Sequence, residues 1–341
     1  MQNEILEPSD LLDDNGELIQ KGWARKLLLK YDRSKIKAGW LRIKEWDYYA
    51  ILNPDYGVSF TISDLGYAGL VAAVWLDFKE RIFIPDEIMV WFTKGHLNLP
   101  YSSETGDINF SEKGITLSFK KEEESRILNF NFPNFDNGRG LEANLVLYQD
   151  PNMDTMVIAT PWKEKPTRFY YNQKINCMPS QGFVQLGNQK YDFTDYNSFG
   201  VLDWGRGVWT YKNTWYWGSA SGKLEDGTPI GWNIGYGFSD RSYASENVIF
   251  YNGIAHKLDQ ITFHFDPENY LKPWKFTSND GRFEMNFEPI IDRNSKINLL
   301  VLKSIQHQVF GYYTGTLILD NGTKIQIKRQ LGFAEEVFNK W

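Results

Sequence analysis

Cysteine and histidine are nearly missing from this chain. Cys177 stands alone, and the histidines are His96, His256, His264 and His307 in 341 residues. A single thiol excludes an internal disulfide and a Cys-based zinc site, and fits a reducing compartment. The histidines are nowhere spaced as neighbouring ligands and no carboxylate pattern completes a set, so no metal and no cofactor is expected. Long apolar runs are missing as well. The longest, YAGLVAAVWL at 67–76, falls short of the ~20 residues of a membrane span and reads as a buried strand or short helix. The acidic start, MQNEILEPSDLLDD, lacks the basic and apolar segments of a signal peptide. The expectation is a cytoplasmic protein without a membrane span. No sign of charge dominates: 37 basic against 43 acidic residues leave a net charge of −6, and Lys120-Lys121 are followed at once by Glu122 to Glu124. Without a basic stripe, nucleic acid is not an expected partner.

Familiar catalytic signatures are absent too. GSASG at 218–222 places Ala220 where a nucleophile elbow needs serine. GRG at 205–207 lacks the third glycine and following helix of a dinucleotide loop. Helical periodicity is confined to SDLLDD near the start and GFAEEVFNKW at the end, the latter predicting a short C-terminal helix.

What the chain has instead is turn punctuation. Asn15-Gly16, Gly187-Asn188, Asp226-Gly227, Asn252-Gly253, Asp280-Gly281 and Asn321-Gly322 are pairs that accept the positive φ of tight hairpins. Alternating runs flank most of them, as GTLIL and KIQIK flank Asn321-Gly322. The fold class is therefore all-β and antiparallel. A break around ATPWKEKPTRFYYNQ divides the chain into two β domains of similar size, 1–165 and 166–341, with the candidate pocket in or beside the second.

Tryptophan is concentrated at 202–222, LDWGRGVWTYKNTWYWGSASG. Across the Asp226-Gly227 turn, Trp215, Trp217, Ser219 and Ser221 share one strand face. The returning strand carries Gly231, Asn233, Gly235 and Gly237 on one face. Glycine inside a strand loses packing and costs entropy, so such a row marks close approach by another group, either an aromatic side chain or a ligand.

Four stretches, YYNQKINCMPSQG (170–182), LDWGRGVW (202–209), SENVIFYNGIAHKL (245–258) and PWKFTSNDGRFEMNFEPIIDR (273–293), resemble the bacterial family catalogued as domain of unknown function 2804. The likeness extends upstream through GWARKLLLKYDR, RIKEWDYYAI, FTISDLGYAGL and LPYSSETGDI. Downstream it takes in VFGYYTG and GFAEEVFNKW, so it covers nearly the whole chain. That family is distantly similar to lipocalin-like carotenoid hydratase and tocopherol cyclase proteins, which share a polar-Trp-Gly corner like that of 203–205. The resemblance implies two lipocalin-like (calycin-like) barrels or sandwiches packed side by side, and transfers no activity.

The residues that carry candidate chemistry are polar groups set among aromatics. Asp203 or Glu246, desolvated in an aromatic pocket, is the candidate catalytic proton donor. The ring faces of Trp204, Trp209, Trp215 and Trp217 stabilise developing positive charge. Arg206, Asn233, Asn247, Tyr171 and Asn172 complete the candidate ligand-binding set. These groups suit hydration, isomerisation or cyclisation of a small hydrophobic molecule of lipid or isoprenoid type. Two alternatives stay open. One is a non-catalytic carrier of such a ligand; the other is a carbohydrate-active protein using stacked tryptophans and paired carboxylates. The same residues also fit a packed core, with Asp203 paired to Arg206 at a barrel corner and Asp280 serving a turn beside Arg282. In YYNQKIN the row Asn172, Lys174 and Asn176 lies opposite Tyr171, and reads as solvent-facing or as a pocket rim.

Overall fold

The computed structural model describes residues 2–298 and 303–340. Among these, strands form two large antiparallel sheets, one of thirteen strands and one of nine, each curled into a half-barrel. This is the lipocalin-like two-barrel architecture, and it bears out the all-β reading. No helix among the described residues is long and apolar enough to cross a membrane.

Hairpins do most of the connecting, at the turns the sequence marks. Asn252 and Gly253 adopt φ of 50° and 79° between Val248–Tyr251 and Ile254–Lys257. Gly227 and Gly322 take φ of 88° and 83° at two further hairpins. The apolar stretch near residue 70 is a buried strand, Ala68–Asp77. Neither expected helix forms. Near the start, Ser9–Asp10 is a short strand, and Leu12 bridges to Leu18 around the Asn15-Gly16 turn. At the other end, Lys324–Lys340 is a strand paired on both sides, with Lys212–Lys223 and with Lys303–Ile318. Apolar spacing there permits either state, and a slot between two strands satisfies every backbone group, so tertiary pairing overrides local periodicity.

Sheet membership changes at residues 209–211. Strands Lys165–Leu186 and Phe199–Val208 pair with each other and, through Ile43–Leu52, belong to the first sheet. All later strands belong to the second. The switch between sheets therefore lies beyond residue 165, inside the tryptophan-rich stretch.

Each sheet curls around its own core. Phe60, Trp75, Phe130 and Leu145 fill the first, and Trp232, Trp274, Phe276 and Tyr313 the second. The opposite faces of the central strands meet in a seam between the half-barrels, packed by two further clusters. A bulge between Ile175 and Met178, with Cys177 at φ 59°, kinks the Lys165–Leu186 strand at this seam. Bulges bend a strand and re-aim its side chains. Here Asn176 reaches across and donates to Ser219 Oγ at 2.8 Å and to the Trp232 carbonyl at 3.1 Å.

Candidate functional site

Alternation decides which residues of the tryptophan-rich stretch reach the seam. In Phe199–Val208, Leu202, Trp204, Arg206 and Val208 turn into the first half-barrel, where Trp204 packs edge-on to Tyr171 at 5.5 Å. Val201 and Asp203 turn to the seam, as does Gly205, which lies under a tryptophan there. A β-carbon on Gly205 would sit 1.9 Å from the Trp46 ring, so the glycine exists to admit that ring. Trp46 in turn packs against Trp209 at 5.1 Å, and Trp209 against Phe238 at 4.8 Å. Trp215 closes this aromatic box, 5.7 Å from Trp209 and 5.5 Å from Phe238.

The row Asn172, Lys174 and Asn176 faces the seam, not solvent; all three are buried. Lys174 Nζ lies 2.7 Å from Asp203 Oδ2, and Asn172 Nδ2 donates to Asp203 Oδ1 at 2.6 Å. Both carboxylate oxygens of Asp203 are thus accepting. Asn172 Oδ1, beside them, is buried without a partner. The Lys174 ammonium also sits over the Trp217 ring, 3.8 Å from its centre. Trp217 passes the network on: its Nε1 donates to Asn233 Oδ1 at 2.6 Å, and Asn233 Nδ2 donates to the Glu246 carbonyl at 2.8 Å.

Two further carboxyls face the same ammonium. Glu335 accepts from Trp215 Nε1 at 3.0 Å and from Gln308 Nε2 at 3.1 Å. Burial pushes its pKa up to about 7, against the opposing pull of the Trp215 hydrogen bond and Lys174. Glu246 is raised as well, again chiefly by burial and only partly offset by Lys174. It sits deep among protein atoms yet keeps some accessible surface. Among the described residues, the hydrogen bond to its side chain comes from Asn233 Nδ2 at 3.5 Å. Burial, and then the charges of Glu246, Asp203 and Glu335, push the pKa of the Tyr170 hydroxyl well above its ordinary value.

The glycine floor of the Pro229–Tyr236 strand is approached both by its hairpin partner and from beyond it. A β-carbon on Gly231 would meet Cys177 Sγ at 2.5 Å and the Ala220 carbonyl at 2.6 Å, and one on Gly235 would meet the Tyr216 carbonyl at 2.6 Å and Glu246 Oε1 at 3.1 Å. Trp215 and Trp217 do not cover these glycines. A recess of about 480 Å³ on the surface leads toward this corner, lined by Trp162, Arg241 and Ser245 among others. Trp162 stands edge-on to Phe238 at 5.0 Å.

Of the residues singled out from the sequence, Asp203, Glu246, Trp209, Trp215, Trp217, Asn172 and Asn233 converge on the seam. Arg206, Trp204 and Tyr171 do not. Arg206 is fully buried in the first half-barrel and pairs with Asp47 at 3.0 Å, so the expected pairing with Asp203 is replaced by Lys174–Asp203. Tyr171 donates to the Leu29 carbonyl at 2.6 Å. Asn247 accepts from the Gly235 amide at 2.6 Å and donates to the Asp259 carbonyl at 2.7 Å. Asp280 caps the Arg282 amide at 3.1 Å, while the Arg282 guanidinium pairs with Asp320. Glu335, Trp46, Tyr170 and Gln308 went unread. Strand alternation over Phe333, Glu335, Val337 and Asn339 would have placed Glu335 with the seam, had that segment not looked helical. Among the described residues no group of three His, Cys, Asp or Glu side chains is arranged to hold a metal.

Comparison with known proteins bears on the whole chain. A family model described as "Domain of unknown function (DUF2804)" matches residues 2–341, and the chain belongs to that family. A search of curated proteins finds no match. Among solved structures, the fold is similar to a Nitrosomonas europaea protein assigned as AttH, with 11% identity, a TM-score of 0.48, and coverage of 92% of this chain and 96% of that one. It is similar also to kievitone hydratase from Nectria haematococca, at 11% identity, a TM-score of 0.48, and coverage of 87% and 88%.

Proposed function

We propose that the seam binds a small hydrophobic molecule and transforms it by acid catalysis, with Glu246 as proton donor. The observation that carries this reading is a buried polar cluster beside an aromatic box, in which Lys174 pairs with Asp203 while Glu246 and Glu335 also feel its charge, Glu246 together with Lys257 and Arg241 and Glu335 together with Arg293. Burial disfavours the charged form of a carboxyl and so favours the protonated state a general acid needs. Asp203 and Glu335 each have both oxygens engaged. Glu246 is the loosely held one, and burial raises its pKa.

In the proposed step the Glu246 O–H bond breaks and the proton adds to a carbon of an alkene. The faces of the surrounding indoles stabilise the resulting cation by roughly 0.5–2 kcal/mol each. Addition of water, loss of a neighbouring proton or ring closure then completes hydration, isomerisation or cyclisation. Asn172 Oδ1, which has no hydrogen-bond partner among the described residues, would accept a hydrogen bond from incoming water or a substrate hydroxyl. The carboxyls lie in a closed seam, not an open cleft, which weighs against a glycosidase pair.

A carrier would use the same walls without chemistry, and the saturated hydrogen bonding of Asp203 and Glu335 favours that second reading. Incubating the protein with a hydrophobic metabolite extract in heavy water separates the two. Catalysis predicts a product carrying carbon-bound deuterium that Glu246→Gln fails to form, whereas a ligand recovered without deuterium from the unaltered protein supports the carrier.

A further inference from the structure

We propose that the outer face of the first sheet binds a neutral glycan, at a site separate from the seam. Four adjacent strands, Ile108–Glu112, Ile115–Lys121, Ser125–Phe132 and Leu141–Tyr148, carry a shallow groove of about 600 Å³ on the side facing away from the core. Strand register aligns its lining into two rows. One runs Asn109, Ser118, Asn129, Asn144, and the next runs Ser111, Thr116, Asn131, Glu142.

Outward strand positions are ordinarily polar, so polarity alone says nothing. The residue choice does. Asparagine is depleted from strands because its side chain competes for the backbone and fits the pleated surface poorly. Four asparagines in the middle of mutually paired strands therefore work against the fold that displays them. Their amides are also unused. Among the described residues, the hydrogen bond within the array is Ser118 Oγ donating to Asn109 Oδ1 at 3.0 Å. Asn129, Asn131 and Asn144 are left with free donors and acceptors, and Asn129 and Ser118 at the centre are half-buried.

An asparagine amide presents a donor and an acceptor side by side, the complement of a sugar hydroxyl that gives one bond and takes another. The rows are spaced ~4.8 Å across strands and ~7 Å along them, so neighbouring hydroxyls of one chain meet different amides. The charge of the groove excludes other ligands. Glu142 is its one ionisable lining residue and it holds no cation, which rules out a phosphate or polyanion. A groove spanning four strands suits an oligosaccharide better than a single sugar.

The test uses the full chain and calorimetric titration with neutral oligosaccharides of hexaose length (malto-, cello-, xylo-, manno- and chito-), at low and high salt. An unstructured peptide serves as the comparison ligand. At least one sugar is expected to bind, with an affinity indifferent to salt. The double variant Asn129→Val, Asn131→Val improves strand propensity at both positions. It is expected to keep or raise the melting temperature while weakening sugar binding about tenfold or more, the loss expected of two hydrogen-bonding side chains. Failure of every sugar to bind, unchanged binding by the variant, or binding of the peptide in place of sugars would each overturn the proposal.

Discussion

Lys174 extends from the first sheet onto the face of Trp217 in the second, its ammonium 3.8 Å from the ring centre. The contact joins the half-barrels and sets the electrostatics of the seam, because the same ammonium pairs with Asp203 and faces Glu246 and Glu335. Removing that charge separates its structural from its chemical role.

Lys174→Met leaves Asp203 buried and unpaired. Breaking a buried ion pair costs about 3–5 kcal/mol, while replacing both partners costs far less. Chemical denaturation should therefore show a large loss for Lys174→Met and recovery of most of it in Lys174→Met, Asp203→Asn.

Glu335 gives the fold a pH dependence whose sign is fixed. Its pKa rises from the ordinary glutamate value to about 7 on folding, so between those values the folded state binds more protons than the unfolded one. Stability from this group is complete below the unfolded pKa and is lost as pH climbs toward 7, by up to about 3 kcal/mol. Urea titrations of the protein and of Glu335→Gln across that window should diverge, with the variant lacking the decline.

Gly205→Ala drives a methyl group into the Trp46 ring. Overpacking of this kind costs about 1–3 kcal/mol. The melting temperature should fall, tryptophan fluorescence should change, and Trp46→Leu in the same chain should restore part of the loss.

If Glu246 is the proton donor, turnover of a substrate should fall as pH rises through its raised pKa. Glu246→Gln should lower kcat about 100-fold or more and remove that limb of the profile. Asp203→Asn should alter KM and stability more than the shape of the profile.

Antiparallel strands were legible because Asn-Gly and Asp-Gly turns and two-residue alternation are local signals. The Pro229–Tyr236 strand shows how far this reaches: alternation sorted Gly231, Asn233 and Gly235 onto one face, but only the assembled seam shows Cys177 and Glu246 over the glycines. Phe199–Val208 was harder to read. Trp204 and Arg206 look like site residues beside Asp203, yet a strand sends neighbours to opposite faces, and both turn into the first core. Glu335 was hidden because FAEEVF fits a helix as well as a strand, and only pairing on both sides decides between them.

The central claim is that the seam holds a hydrophobic molecule and that Glu246 acts on it. Native mass spectrometry of the purified full chain beside Glu246→Gln tests this most directly. The account predicts that the variant retains a small apolar species which the unaltered protein, given that species, releases with one added water or rearranged at equal mass. Recovery of both proteins empty, or of the same unchanged species that neither converts, would contradict it.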